Sequence, residues 1–444
     1  MKNCTLKFKT VIIGAGPAGT GIIFNAIRKG KLKELLEGGL AFIESTGNFA
    51  SGTIGKYLVN SDSNGGVFLE CLNDTGTDWF NHLQADEKVK SIAEMASNPV
   101  PLELVGEYLH RLGAALKNII NGISPSGIFQ NSKAISIYKE KSGQFLVKMQ
   151  TTEDGKVTER LIEAESLVFA MGGKQDFENM ANSSITPSLK LKEFEQKIFL
   201  TDEFFTAPGL SKAEVLIRKA KCNKVVVIGG SHSAFSSIWL MLNKMNGIEF
   251  EKAAISLIHR GKFKLFYESK EKAWAEGYGD FTEADICPVT QRVFRMGGMR
   301  ADSKDLLRKL FGLSHQREER IELLEIDDGG DNSEILKKKL NEAALIIPAF
   351  GYQPNTIPLY DEAGVELMFS QKPLVNKYCQ VMDVNGNTIT GLYGIGLASG
   401  FLPWGEMGGE ASFNGQTNSL WAYQHGIGEL IFNQLMNAGK VMAI

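Results

Sequence analysis

The apolar positions fall into short runs broken by glycine. Val11-Ile12-Ile13 leads into Gly14-Ala15-Gly16-Pro17-Ala18-Gly19, and an apolar segment follows from Ile22 to Ile27. This order predicts a strand, a glycine turn and a helix. Leu40-Ala41-Phe42-Ile43 reads as a second strand that ends on Glu44. Between Ser45 and Gly66 the chain is rich in Gly and Ser and predicts a long loop, with Val67 to Leu72 as the core segment after it. Leu104, Val105, Tyr108, Leu109, Leu112, Leu116 and Ile119 recur at helical spacing and predict a helix over 103–120. Three strand-like runs, 134–138, 144–149 and 157–162, are parted by Ser142-Gly143 and Asp154-Gly155, which predicts a meander. A separate strand, 167–170, then enters Met171-Gly172-Gly173.

From 174 to 221 the pattern is weak and predicts a linker with one or two short helices. It then sharpens again. Val225-Val226-Val227-Ile228 is a strand, and Gly229-Gly230-Ser231-His232-Ser233-Ala234 takes the place of a second glycine turn before a helix from Phe235 to Leu242. A strand at 254–258 ends on His259-Arg260, with Lys262 and Lys264 just beyond. The stretch 263–300 interleaves aromatics with charges, as expected of an excursion packed on the nucleotide domain or of a substrate wall. A helix at 303–313 and strands at 321–326 and 344–347 follow, the last running into Pro348-Ala349-Phe350-Gly351-Tyr352. Leu392 to Leu397 is a glycine-punctuated strand that returns to the first domain. A long helix from about Thr417 to Met436 closes the pattern.

The two turns carry the chemistry. The first Gly of such a motif permits the tight turn, the second lets the backbone approach a pyrophosphate, and the third lets helix and strand pack closely. The helix N-terminus adds free N–H groups and partial positive charge. Glu44 after the second strand suits a free ribose, so the first unit suits FAD. Arg260 in the corresponding place suits a 2′-phosphate, so the second suits NADPH. The FAD set is Gly14, Gly16, Pro17, Ala18, Gly19, Glu44, Ser45, Gly52, Met171, Gly172 and Gly396. The NADP set is Gly229, Gly230, Ser231, His232, Ser233, Arg260, Lys262, Phe350 and Gly351.

Composition narrows the field. The 444 residues are 43% hydrophobic and 22% charged, too long a chain for one core. A net charge of -3 gives no basic field for nucleic acid or an anionic membrane. No apolar run has the length of a membrane span, and no signal peptide is recognisable, so a cytoplasmic location is expected. Cys4, Cys71, Cys222, Cys287 and Cys379 are scattered, which predicts neither a disulfide framework nor a metal site.

Two glycine motifs more than 200 positions apart, the Phe169-Ala170-Met171-Gly172-Gly173 turn and the Ala349-to-Asn355 segment stand in a familiar order. The chain resembles flavoproteins with two dinucleotide-binding domains, the glutathione and thioredoxin reductase superfamily. That resemblance implies an α/β fold of two Rossmann-like domains. The NADP domain (221–344) would be inserted in a discontinuous FAD domain (1–220 and 345–444). No redox-active cysteine pair is present, and Leu397 or Ala398 stands where disulfide reductases carry an Asp. The layout is similar to class B, N-hydroxylating flavin monooxygenases. Val67 to Leu72 resembles their stretch beside the flavin, with Glu70 where they carry Lys.

The resemblance implies a monooxygenase that uses FAD, NADPH and O2 on a small-molecule nitrogen, sulfur or carbonyl through a C4a-(hydro)peroxyflavin. Such a site holds the peroxide away from water. Asn64 and Ser63 are candidates beside the ring. Asp62, Glu406, Glu410 and Gln416 are candidates for orienting substrate. A quinone-type NADPH reductase and a non-catalytic flavoprotein sensor are the alternatives. Oligomeric state, including a homo-oligomer, stays open.

Overall fold

The computed structural model describes residues 6–123, 127–326 and 332–437; Cys4 lies outside them. In the first sheet Leu6–Ile13 is the central strand. It pairs in parallel with Leu40–Ile43 on one side and with Lys156–Phe169 on the other. Ile128–Phe129 extends the first edge, and Thr388–Gly394 joins at Phe169. All four residues of Leu40–Ile43 are buried, as a strand covered on both faces requires.

The meander is present as Ser132–Lys139, Phe145–Glu153 and the start of Lys156–Phe169. The sequence pattern splits that last strand in two, at 157–162 and 167–170. The structure has one continuous strand, exposed over its first five residues and buried over its last four. Its outer half belongs to the meander and its inner half to the parallel sheet. The change of burial imitates a boundary.

The expected loop 45–66 contains a strand, Asn60–Asn64, which pairs with Pro99–Pro101. The segment after it is the helix Gly65–Asn73. The weak region 174–221 holds more than a linker. Its helix Ala207–Ala220 buries Leu210, Ala213 and Ile217 in the same core as Val225 and Phe235.

The second sheet is all parallel, in the order Ile321–Glu325, Ile255–His259, Val225–Ile228, Leu345–Pro348. Its central strand is Val225–Ile228, and Ile228 pairs with Pro348. The second sheet therefore runs past the boundary expected at 344, and its core reaches back before 221. Both have one cause: pairing and packing, not composition, decide which residues join a sheet and its core. The return is made at Gln353–Pro354, which pairs with Gly173–Lys174, and at Asn355, whose amide donates to the Met171 carbonyl at 3.1 Å.

The C-terminal stretch is two helices, Leu420–Gln424 and Gly426–Asn437, where the pattern predicts one. The break at His425 lets both lie against Pro17–Arg28. A Cβ on Gly21 would come within 2.7 Å of the Tyr423 carbonyl carbon, and one on Gly428 within 2.7 Å of the Asn25 amide nitrogen. No helix among the described residues is long and apolar enough to cross a membrane.

Candidate functional site

Both central strands end in glycine turns with positive φ, Gly14 at +96° and Gly229 at +143°. A Cβ at Gly14 would lie 2.7 Å from the Ala170 carbonyl carbon, and one at Gly229 would lie 2.7 Å from the Ala349 oxygen. Only glycine serves where the turn is left-handed and a second strand crosses so closely. Each turn feeds a helix, Pro17–Arg28 or His232–Lys244, whose N-cap residue makes no side-chain cap. The first N–H groups of both helices are therefore free to meet an anion.

One cavity of about 960 Å³ runs between the two units. Its first wall is Gly14, Gly16, Pro17 and Ala18 with Glu44, Ser45, Gly52, Met171 and Gly172. Its opposite wall is His232, Ser233, Ser236 and Trp239 from the second helix, with Arg300 to Ser303 from the start of the helix Ala301–Leu310. The cavity thus lies at the carboxyl end of the first sheet, beside its central strand, where such folds bind ligands.

Glu44 is 6% exposed. One carboxylate oxygen accepts from the Ala15 N–H at 2.7 Å, and the other accepts from the Thr46 N–H at 2.9 Å and the Thr46 hydroxyl at 3.0 Å. The acid expected to meet a ribose also pins the glycine turn. Gly19 and Gly396, expected at FAD, are outside the lining. Gly19 packs the helix on Ala170 and Ile12, and Gly396 (φ +112°) sits against Ala18.

The expected NADP set is spread out. His232 and Ser233 face the cavity, while Gly229, Gly230 and Ser231 form the turn behind them. Arg260 is outside the lining and donates to the Ile185 carbonyl at 2.8 Å. Lys262 pairs with Asp280 at 2.8 Å. Phe350 packs against the core on the far side of the second sheet, and the Gly351 carbonyl accepts from Gln175.

Of the expected catalytic residues, Asp62 and Ser63 line the cavity. Asn64 and Gln416 do not. Asn64 ends its strand ahead of the helix Gly65–Asn73, and Gln416 sits in the loop before Leu420. Glu406 is exposed in the turn Gly405–Met407. Glu410 is buried and accepts from the N–H groups of Met296 and Gly297 at 2.8–3.1 Å. It ties two loops together and lies outside the cavity lining.

The aromatic stretch 263–300 resolves both of its readings. Tyr267, Val293, Phe294 and Met299 are buried in the second core, while Arg300 at its end faces the cavity. The pattern gave no sign of Arg300, Asp302, Lys56, Tyr57 or Asp202 as lining. Tyr57 donates to Asp202, Lys56 stands 3.7 Å from the same carboxylate, and burial pushes the Tyr57 phenol well up. Asp302 accepts from Asn60, and burial raises its carboxyl.

His232 accepts the Arg300 backbone N–H on Nε2 at 3.2 Å, and burial lowers its pKa, against the pull of Asp62. None of Cys71, Cys222, Cys287 and Cys379, all free thiols, lines the cavity. Glu70, Asp74 and His425 come together away from it, where Arg28 holds Asp74 and Trp421 holds Glu70.

Two glycine turns, two uncapped helix ends and a buried acid around one cavity fit two dinucleotides. The fold and site are those of an α/β oxidoreductase that works with a flavin and a pyridine nucleotide. The chain belongs to the pyridine nucleotide-disulphide oxidoreductase family, which it matches over residues 8–398. A relative from Streptomyces rubellomurinus, CMP-5′-(3-aminopropyl)phosphonate hydroxylase, is 26% identical over 440 residues, 97% of either chain. Among solved structures, the FAD-bound cadaverine monooxygenase DfoA of Erwinia amylovora superposes with a TM-score of 0.57. It is 14% identical, over 98% of this chain and 95% of that one. The ornithine hydroxylase PvdA of Pseudomonas aeruginosa gives 0.54 at 12% identity, over 97% and 99%. These two likenesses are of fold.

Proposed function

We propose that the protein is an FAD- and NADPH-dependent monooxygenase that places one oxygen atom of O2 on a small-molecule amine. The observation that carries this is one cavity with the first glycine turn in one wall and the start of the helix that follows the second turn in the other, since hydride transfer needs the two cofactors in contact. Oxygen transfer is supported by the end-to-end relative, a hydroxylase whose substrate carries an aminopropyl group.

In this reading the FAD unit comprises the chain up to about 200 and from 353 onward, and the nicotinamide unit comprises 207–348. Bound FAD supplies hydride acceptance and the activation of O2. The turn Gly14 to Ala18 takes its pyrophosphate and Glu44 its ribose, with Ser45, Gly52, Met171 and Gly172 along its length. His232 and Ser233 meet the nicotinamide nucleotide, and Arg260, which keeps guanidinium N–H groups beyond the one given to Ile185, reads the 2′-phosphate. Asp62 and Ser63 orient substrate. Val59, Leu102, Phe205 and Leu397 in the lining exclude water.

The test is stoichiometry. With FAD-loaded protein, NADPH and a panel of primary amines, oxygen uptake should rise with one amine and match hydroxylated product one to one. NADPH oxidation that yields only hydrogen peroxide, or passes to a quinone, with every amine would replace this reading with that of a simple flavin reductase.

A further inference from the structure

Arg300 is a cation without an acid. Its guanidinium carbon lies 3.7 Å over the Phe266 ring, and one terminal nitrogen donates to the Arg295 carbonyl. Among the described residues no carboxylate oxygen comes within ion-pair distance of it, although it is largely enclosed and lines the cavity. Asp62 and Glu410 act on it only from further off, and Arg292 and Arg295 oppose its charge. An enclosed guanidinium with no counter-charge is costly, and a ligand anion is the missing compensation.

The surroundings point the same way. The Arg300 backbone N–H binds His232, the first residue of the 13-residue helix, and Arg300 itself caps the 10-residue helix Ala301–Leu310 without a side-chain bond. Two helix N-termini therefore meet at this one residue, and Ser233, Ser236 and Ser303 add hydroxyls to the same wall. Converging helix ends and a planar guanidinium suit a tetrahedral oxyanion with more than one negative charge.

We infer that Arg300 anchors a phosphoryl- or phosphonate-type anion inside the cavity. The anion belongs either to the nicotinamide nucleotide or to a substrate that carries phosphorus. Arg260, outside the lining, is left to the 2′-phosphate and does not reach this anion. The inference stands whether or not oxygen is transferred, because it concerns binding alone.

The experiment is equilibrium titration of the FAD-loaded protein, followed by the flavin spectrum, with NADP+, with 3-aminopropylphosphonate and with propylamine. Arg300→Met should weaken NADP+ or 3-aminopropylphosphonate at least tenfold and leave propylamine unmoved. Arg300→Lys should recover part of the loss. A loss confined to NADP+ assigns the anion to the nucleotide, and one confined to the phosphonate assigns it to substrate. Changes below tenfold for both probes overturn the inference, and so does a wild-type protein that binds neither. Should Arg300→Met lose its flavin, the same thresholds apply to Arg300→Gln. These titrations read no turnover, so their failure is separate from failure of the oxygenase reading.

Discussion

The Asn60 side-chain amide donates to the Asp302 carboxylate at 2.8 Å, across 242 positions of sequence. Asn60 opens the strand beside the first unit's cavity wall, and Asp302 lies in the first turn of the helix Ala301–Leu310. The bond joins the two units where both line the cavity.

Burial raises the Asp302 carboxyl, and the Asn60 bond favours its charged form. Asn60→Ala should therefore destabilise the protein by about 1 kcal/mol at neutral pH. The loss should shrink as pH falls and Asp302 takes up a proton. Asn60→Asp should cost more at pH 7, with two carboxylates in contact, and recover in acid. Denaturant midpoints at pH 7 and pH 5 measure both.

Gly14→Ala should abolish flavin retention. The residue has φ +96°, and a Cβ would press on the Ala170 carbonyl, so the cost is about 2 kcal/mol or more. Gly30→Ala is the contrast: φ is +62°, but nothing lies within 4 Å, and the cost should be about 1 kcal/mol with flavin retained. The flavin-to-protein ratio after gel filtration decides between them.

Glu44→Gln tests the acid directly. The amide oxygen can still accept from Ala15, but the charge-assisted bonds to a ribose are lost. FAD affinity should fall about tenfold or more, read by flavin release on dilution.

His232 sets a pH limit. Burial depresses its pKa below the ordinary 6.5, so the folded protein keeps the ring neutral while the unfolded chain is protonated below that value. Stability is therefore lost as pH falls below about 6.5. Protonation would also remove the acceptor for the Arg300 N–H. The drop in Tm from pH 7.5 to pH 5.5 should be smaller in His232→Gln than in the wild type.

Cys287 has the same sign in a more alkaline window. Burial pushes its thiol up, but Thr290, the Gly409 N–H and Arg295 outweigh that and bring it down to about 6. A lowered thiol stabilises the fold above its unfolded value near 9, and that stabilisation is lost as pH falls through about 6. The Tm deficit of Cys287→Ala should widen from pH 6 to pH 9.

The amino-acid sequence by itself determined the two strand–turn–helix units. Val11 to Gly19 and Val225 to Ala234 are local patterns, and only glycine fits the backbone that each turn needs, so they read correctly without any long-range knowledge. The end of the Leu40–Ile43 strand on Glu44 was legible for the same reason. Tertiary structure decided what surrounds the cavity. Arg300, Asp302 and Asp202 come to it from segments far apart in the chain, and spacing holds no trace of such meetings. Glu410 is a candidate substrate contact in the sequence, yet it lies outside the lining and accepts from Met296 and Gly297. Arg260 ended against Ile185 rather than in the cavity wall. A charged side chain takes whichever partner the packed chain brings within about 3 Å, and that partner is fixed only when distant elements settle against one another.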